Sequence, residues 1–323
     1  MARTHYATDR GLIARMSATM FLLGLVFTAF ILAIVLLLAR FSSVGTGGIV
    51  VIAVLIGVAV SFGSYYWSDK IALSTAGARL VAQGDSAQAA KLHGIVDRLC
   101  ALADMPKPRV AIAPTSMPNA FATGRSSKQA VVCVTSGMLD RLEDNELEGV
   151  LAHEMSHVAH KDVAVMTIAS FIGIIAALMV RFAFYSEIFG GGGGRGRGGR
   201  SGNDQNTALI GLGVMVIGIV VYAISFLLIR LLSRYRELSA DRSGALLTGQ
   251  PHALASALVK VSTDIARIPT RDLRAAEPLN AFFFTPAVGL QRGQVTLSTL
   301  FSTHPPLDKR LKALDKIAKQ LGR

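Results

Sequence analysis

Four stretches of this chain, 16–39, 49–67, 163–180 and 208–229, contain no charged residue and are long enough to cross a bilayer as helices. A span takes about 20 apolar residues at 1.5 Å of rise each. Runs of this kind are too uniform for one face of a soluble helix, so the chain is expected to be a multi-pass membrane protein. The third run starts directly after Lys161 and Asp162 and ends at Arg181, which leaves a helix lying in the interface open for it. The first run exceeds the roughly 7–15 residues of a signal-peptide core, and no small-residue cleavage site follows it, so it reads as an anchor. Composition agrees: 51% of residues are hydrophobic, 17% are charged and the mean hydropathy is +0.47. The excess of 33 Lys and Arg over 21 Asp and Glu suits an anionic partner. Aromatic residues are few and the arginines flank apolar runs, which points to membrane lipid rather than nucleic acid. Cys100 and Cys133 are too few for a disulfide framework or a thiolate metal site.

The runs divide the chain into an N-terminal tail with two spans (1–67), a polar segment (68–162), two more spans (163–229) joined by a Gly/Arg-rich loop (186–207), and a second polar segment (230–323). Within the first polar segment, residues 87–104 pattern as an amphipathic helix. Residues 109–113, 120–123 and 129–135 pattern as short strands separated by Pro, Ser, Asn and Gly. A helix is expected from about Asp144, with Glu146 and Glu148 early and His160 and Lys161 late, a charge order that complements the helix dipole. The Gly/Arg tract at 190–200 reads as a loop. RNA binding is the sharper alternative, weakened by the lack of aromatic residues in the tract. Near the C-terminus, Leu307, Leu311, Leu314 and Leu321 recur at helical spacing as a packing face. Phe282, Phe283 and Phe284 form either a core cluster or a substrate-gripping patch.

The chemistry is carried by His153-Glu154-Met155-Ser156-His157. On a helix, i and i+4 project two imidazoles from one face, where their neutral nitrogens can share a metal ion. Glu154 lies about 100° round the helix, beside the pair, as a base rather than a ligand. The pentapeptide is short and recurs by chance, so its context decides. A catalytic Zn²⁺ needs a third protein ligand and one open position. His160 is a poor choice because seven residues of helix rise about 10 Å. The H-E-x-x-H-x-x-G-x-x-H continuation also fails, since positions 160 and 163 are His and Val. Glu237, just beyond the fourth run, is the best candidate, with Asp241 one turn on to accept the other N–H of a histidine ligand. An exposed ion-pair face with Arg234 and Arg236 is the competing reading. Topology favours the ligand reading: two crossings separate His157 from Glu237, so both return to the same side.

Four ordered motifs together resemble the HtpX-like membrane metallopeptidases, which are more distantly similar to the prenyl-protein CAAX endopeptidases. They are Asn119-Ala120-Phe121-Ala122-Thr123-Gly124, the segment Gly149 to His157, Arg236-Glu237-Leu238-Ser239-Ala240-Asp241, and Ser302-Thr303-His304-Pro305-Pro306 with Arg310. The resemblance implies zinc endopeptidase activity with one Zn²⁺ per chain, residence in the cytoplasmic membrane, and quality control of misfolded or damaged membrane proteins. It also implies that the strand with Asn119, Ala120 and Phe121 lies beside an extended substrate, as in β-augmentation. His304 and Arg310 are singled out by the same match, as donors to a developing oxyanion. Without that match, a helix cap and a solvated arginine would describe them. The Gly/Arg loop is a departure from the family pattern.

Arg3, Arg10 and Arg15 precede the first run, so the positive-inside rule places the N-terminus and both polar segments in the cytoplasm. Arg181, Arg195, Arg197 and Arg200 argue the other way. The expected fold class is α+β, a zincin-like metallopeptidase domain on a helical membrane anchor with four transmembrane helices. The alternatives to quality-control proteolysis are a CAAX-type processing endopeptidase and a non-catalytic membrane scaffold.

Overall fold

The structure is a computed structural model and describes residues 10–41, 46–190, 202–267 and 304–322. The Phe282 to Phe284 cluster and most of the Gly/Arg tract lie outside the described residues. The described chain is mostly helical with one small sheet and separates into two units. One contains residues 10–16, 65–165 and the described residues from 233 onward, so the two polar segments fold together across the intervening apolar runs. The other contains residues 17–64 and 166–232.

The apolar unit is built mainly from α1 (Arg10–Phe41), α2 (Thr46–Tyr66), α7 (Asp162–Gly190) and α8 (Gly202–Thr248) as far as Leu232. Its helices are apolar on their outer faces: Phe21, Leu25, Leu32, Phe62, Leu212, Val216 and Leu227 are each more than half exposed. Exposed apolar surface on this scale marks a face that meets membrane or another apolar surface rather than water. Inside the unit, small residues let helices approach closely, with Gly57 against Ile175 and Gly218 against Val180. Among the described residues, two helical stretches alone are long and apolar enough to cross a bilayer, Arg10–Ala33 and Leu212–Thr248. The start of α7 reaches that length only when taken with the helix before it, and α2 contributes the shorter Leu55–Tyr66.

The polar unit is organised by a four-stranded sheet in the order β1-β2-β4-β3, from β1 (Arg79–Leu80), β2 (Arg109–Ala113), β3 (Ala120–Thr123) and β4 (Val131–Thr135). β2 and β4 run parallel, whereas β1 and β3 pair antiparallel with their neighbours. Central β4 is buried along its whole length, which is why Val131 to Val134 form a continuous apolar run rather than an alternating one. On one face, Val110, Ala120, Val132 and Val134 pack against α4 (Ala87–Ala103) and α6 (Asp144–Ala159). On the other, Ala111, Ala113, Phe121, Val131 and Cys133 cluster with Ala72 of α3 (Ser68–Thr75).

A short α5 (Ser136–Arg141) leads from β4 into α6. The early acidic residues of α6 do more than complement a dipole. Glu143 and Glu146 form a capping box, Glu146 also accepts from Ser256 Oγ at 2.6 Å and pairs with Lys260, and Glu148 pairs with Arg98 at 2.6 Å. Those bonds tie α6 to α4 and to α9 (Pro251–Arg267), whose Leu254, Leu258 and Val261 share the core with Leu147, Val150 and Leu151. The last helix, α10 (Leu307–Gln320), contributes Leu314 and Ile317 to that core. Leu321, expected on the packing face, is 39% exposed, because the buried stripe runs instead through Arg310, Leu314, Ile317 and Ala318.

Both cysteines are buried, and burial pushes their thiols up, Cys100 to about 11 and Cys133 to about 12. Since the thiolate is the nucleophile, neither should be alkylated by iodoacetamide in the folded protein at pH 8. Both should react once it is denatured, with peptide mass spectrometry as the readout.

Candidate metal centre

α6 carries both histidines of the H-E-x-x-H segment into the interior: His153 is 1% exposed, with Val150, Leu151 and Met155 packed around the same helix. The helix ends at His160, and Lys161 adopts a left-handed conformation with φ of 57°. That break redirects the chain so that Asp162, the first residue of α7, turns back toward the site. His157 Nδ1 lies 2.5 Å from Asp162 Oδ2, and Arg236 Nη2 of α8 holds the same oxygen at 2.7 Å. Burial opposes ionisation of Asp162, but the Arg236 charge and the His157 imidazole outweigh it and bring the carboxyl down to about 2.

The other histidine is backed in the same way. His153 Nδ1 lies 2.9 Å from Asp241 Oδ1, and Asp241 is gripped by Arg310 of α10, through Nε at 2.8 Å and Nη2 at 2.6 Å. With each Nδ1 engaged by a carboxylate, both Nε2 atoms are turned inward, 3.3 Å apart. Glu237 completes the cluster, one carboxylate oxygen 3.7 Å from His153 Nε2 and the other 3.5 Å from His157 Nε2. Among the described residues, His153, His157 and Glu237 are the group able to hold a metal ion, and His160 does not join it.

The residues fit Zn²⁺. Ligands about 2.0–2.1 Å from a tetrahedral ion stand roughly 3.4 Å from one another, and the three separations fall at or close to that edge. Two imidazoles and one carboxylate are also a catalytic rather than a structural zinc donor set. Burial opposes ionisation of Glu237, yet His304, His153 and His157 overcome it and hold the carboxyl well below its usual range.

Glu154 sits beside the cluster, 4.0 Å from His153 Nε2, and its Oε2 accepts from the backbone N–H of Ala122 at 3.2 Å. Burial raises its pKa. Ala122 belongs to β3, the edge strand, so its N–H points away from β4. Asn119 is fixed at the start of that strand by Thr135, whose hydroxyl accepts from its N–H while the Thr135 N–H donates to its carbonyl, both at 2.9 Å. The Phe121 ring is buried against α3, so this strand offers its backbone, not that side chain, to whatever lies beside Glu154.

His304 and Arg310 also reach the cluster. His304 Nδ1 lies 2.9 Å from Glu237 Oε2, and Arg310 Nη1 lies 3.8 Å from the same oxygen. Arg310 is 1% exposed and its fork is committed to Asp241. It therefore stands behind the ligands rather than on an open face.

Two contributors were not evident in the sequence. In the sequence, Asp162 is only half of a polar pair before an apolar run. Gly244 lies on α8 where a Cβ would meet the backbone nitrogen of His153 at 2.8 Å. Only glycine allows the helix carrying Glu237 and Asp241 to lie this close to the helix carrying the histidines.

Comparison with known proteins now decides the family. The model described as Peptidase family M48 matches residues 86–318. The chain belongs to peptidase family M48. It is 54% identical over 321 residues to Protease HtpX homolog 1 of Streptomyces coelicolor, covering 99% of this chain and 97% of that one. It is 47% identical over 320 residues to the Protease HtpX homolog of Moorella thermoacetica, covering 99% and 98%. Among solved structures, Ste24p of S. mikatae superposes with a TM-score of 0.53 at 16% identity, over 94% of this chain and 67% of that one, a similarity of fold. The match begins within the first polar segment, crosses the apolar runs and ends within the second, and the protein is an integral membrane protease.

Proposed function

We propose that this M48 protein is a zinc endopeptidase of the cytoplasmic membrane that spans the bilayer four times, with its active site in the cytoplasm, and cleaves misfolded or damaged membrane proteins. The observation that carries the reading is the convergence of two inward Nε2 atoms and one carboxylate beside a buried Glu154. Four spans rest on the four uncharged runs, of which two are long enough on the described residues alone. The orientation rests on the N-terminal arginines.

Bound by His153, His157 and Glu237, one Zn²⁺ per chain would supply Lewis acidity, bringing a water toward a pKa of about 7 and polarising a scissile carbonyl. Glu154 takes a proton from the attacking water and returns it to the leaving amine. A carboxyl whose pKa is raised by burial suits both transfers. The outer edge of β3 pairs with an extended peptide, which brings one peptide bond over Glu154. His304 is proposed as a donor to the oxyanion. Arg310 is reassigned from that role: its guanidinium fixes Asp241, and through it the tautomer and angle of His153.

The test is proteolysis by the detergent-purified protein of an unfolded casein and of a farnesylated tail peptide, with zinc and with a chelator. Zinc-dependent cleavage of casein at many sites is expected. Cleavage confined to the lipidated peptide would favour a processing enzyme instead.

A further inference from the structure

A second site lies in the polar unit and shares no residue with the metal centre. It is a cleft of about 410 Å³ where the end of α2 meets α3, lined by Tyr66, Trp67, Lys70, Arg125 and Lys128 together with the Arg109–Asp69 pair. Four cations therefore face one carboxylate. Asp69 is used by Arg109, at 2.5 Å. Lys70, Arg125 and Lys128 form no ion pair among the described residues. Cations gathered this way repel one another unless an anion sits between them, and the Arg125 guanidinium is held in place for one. It lies 3.8 Å over the Tyr66 ring, with Nη1 toward the Tyr66 carbonyl, and its own carbonyl accepts from the Tyr65 hydroxyl at 3.0 Å.

The rim identifies the source of that anion. Tyr65 and Tyr66 end α2 and Trp67 follows at the start of α3, as an aromatic belt ends a membrane helix at the headgroup level. Trp67 is 52% exposed, and so is Ile71 one turn later, at 48%. Apolar exposure beside a cationic cleft suits an amphiphile better than free phosphate. We propose that this cleft binds the headgroup phosphate of an anionic membrane phospholipid, with Lys70, Arg125 and Lys128 on the phosphate and Trp67 against the glycerol and upper acyl chain. Arg125 follows Gly124 directly after β3, so the bound lipid also anchors the end of the strand that flanks Glu154.

Trp67 is the only tryptophan in the chain, so its emission reports the cleft alone. Lipid-stripped full-length protein in detergent is titrated with phosphatidylglycerol brominated near the headgroup end of its acyl chains, with brominated phosphatidylcholine, and with inorganic phosphate against the first. Saturable quenching by phosphatidylglycerol at concentrations at least tenfold below those for phosphatidylcholine is expected. Each basic residue near an anionic surface is worth about a fivefold change in affinity. The Lys70→Gln/Lys128→Gln double variant should therefore bind about 25-fold more weakly, and the control Lys312→Gln/Lys316→Gln on α10 should bind as wild type. Thermal unfolding without lipid, unchanged in both, shows that the variants fold. Equal quenching by the two lipids, or wild-type affinity in the Lys70→Gln/Lys128→Gln variant, overturns the proposal. Displacement by inorganic phosphate at equal concentration overturns the lipid assignment. None of these outcomes depends on proteolytic activity, so they stand apart from the catalytic reading.

Discussion

Glu154→Gln is expected to lower kcat for peptide hydrolysis by about 10²–10⁴-fold, the range that one positioned general acid-base supplies. The amide is isosteric and can still accept the Ala122 N–H through its oxygen, so β3 keeps its place. All three ligand side chains remain, so zinc content and thermal stability should match wild type. Single-turnover cleavage of a fluorogenic peptide, with metal analysis on the same sample, reads both quantities. Activity within tenfold of wild type in zinc-loaded Glu154→Gln would remove Glu154 from proton transfer and require another base in the cluster.

The second large effect is on stability. Arg310 is 1% exposed and Asp241 is 0% exposed, so Arg310→Ala leaves a carboxylate in the interior without its fork. Breaking one side of a buried pair costs about 3–5 kcal/mol, a large part of the roughly 5–15 kcal/mol that holds a typical domain together. A fall in Tm of many degrees is expected, with loss of zinc affinity because His153 is no longer held by a fixed carboxylate. Arg310→Lys should recover only part of this, since an ammonium cannot reproduce two parallel hydrogen bonds. A variant that unfolds like wild type and loses only turnover would return Arg310 to a role at the substrate.

How much of this was legible in the sequence follows from the range of each interaction. The His153 and His157 pair depends on one helical turn, and α6 starts at Asp144, where its acidic residues and apolar spacing placed it. The strands at 109–113 and 120–123 carry their own turn signals, and both coincide with elements of the sheet. Glu237 could be reached only by counting crossings, an argument about topology rather than local pattern. Asp162 was hidden because residues five apart on an unbroken helix do not share a face. Only the left-handed turn at Lys161 brings it to His157. The contacts of His304 with Glu237 and of Arg310 with Asp241 bridge 67 and 69 residues, and no periodicity encodes such pairs. Gly244 carries no signal of its own in the sequence, since close backbone approach leaves no trace in composition. Two-residue β1 has too few positions to show alternation.

The central claim is that His153, His157 and Glu237 hold one zinc ion. Zinc per chain, measured by elemental analysis on wild type and on Glu237→Ala after dialysis against a weak chelator, tests it most directly. One zinc per wild-type chain is expected, and well under one in the variant, because two histidines alone leave the donor set incomplete. A Glu237→Ala protein that keeps one tightly bound zinc, or a wild-type protein that binds none when zinc is supplied, would contradict the assignment.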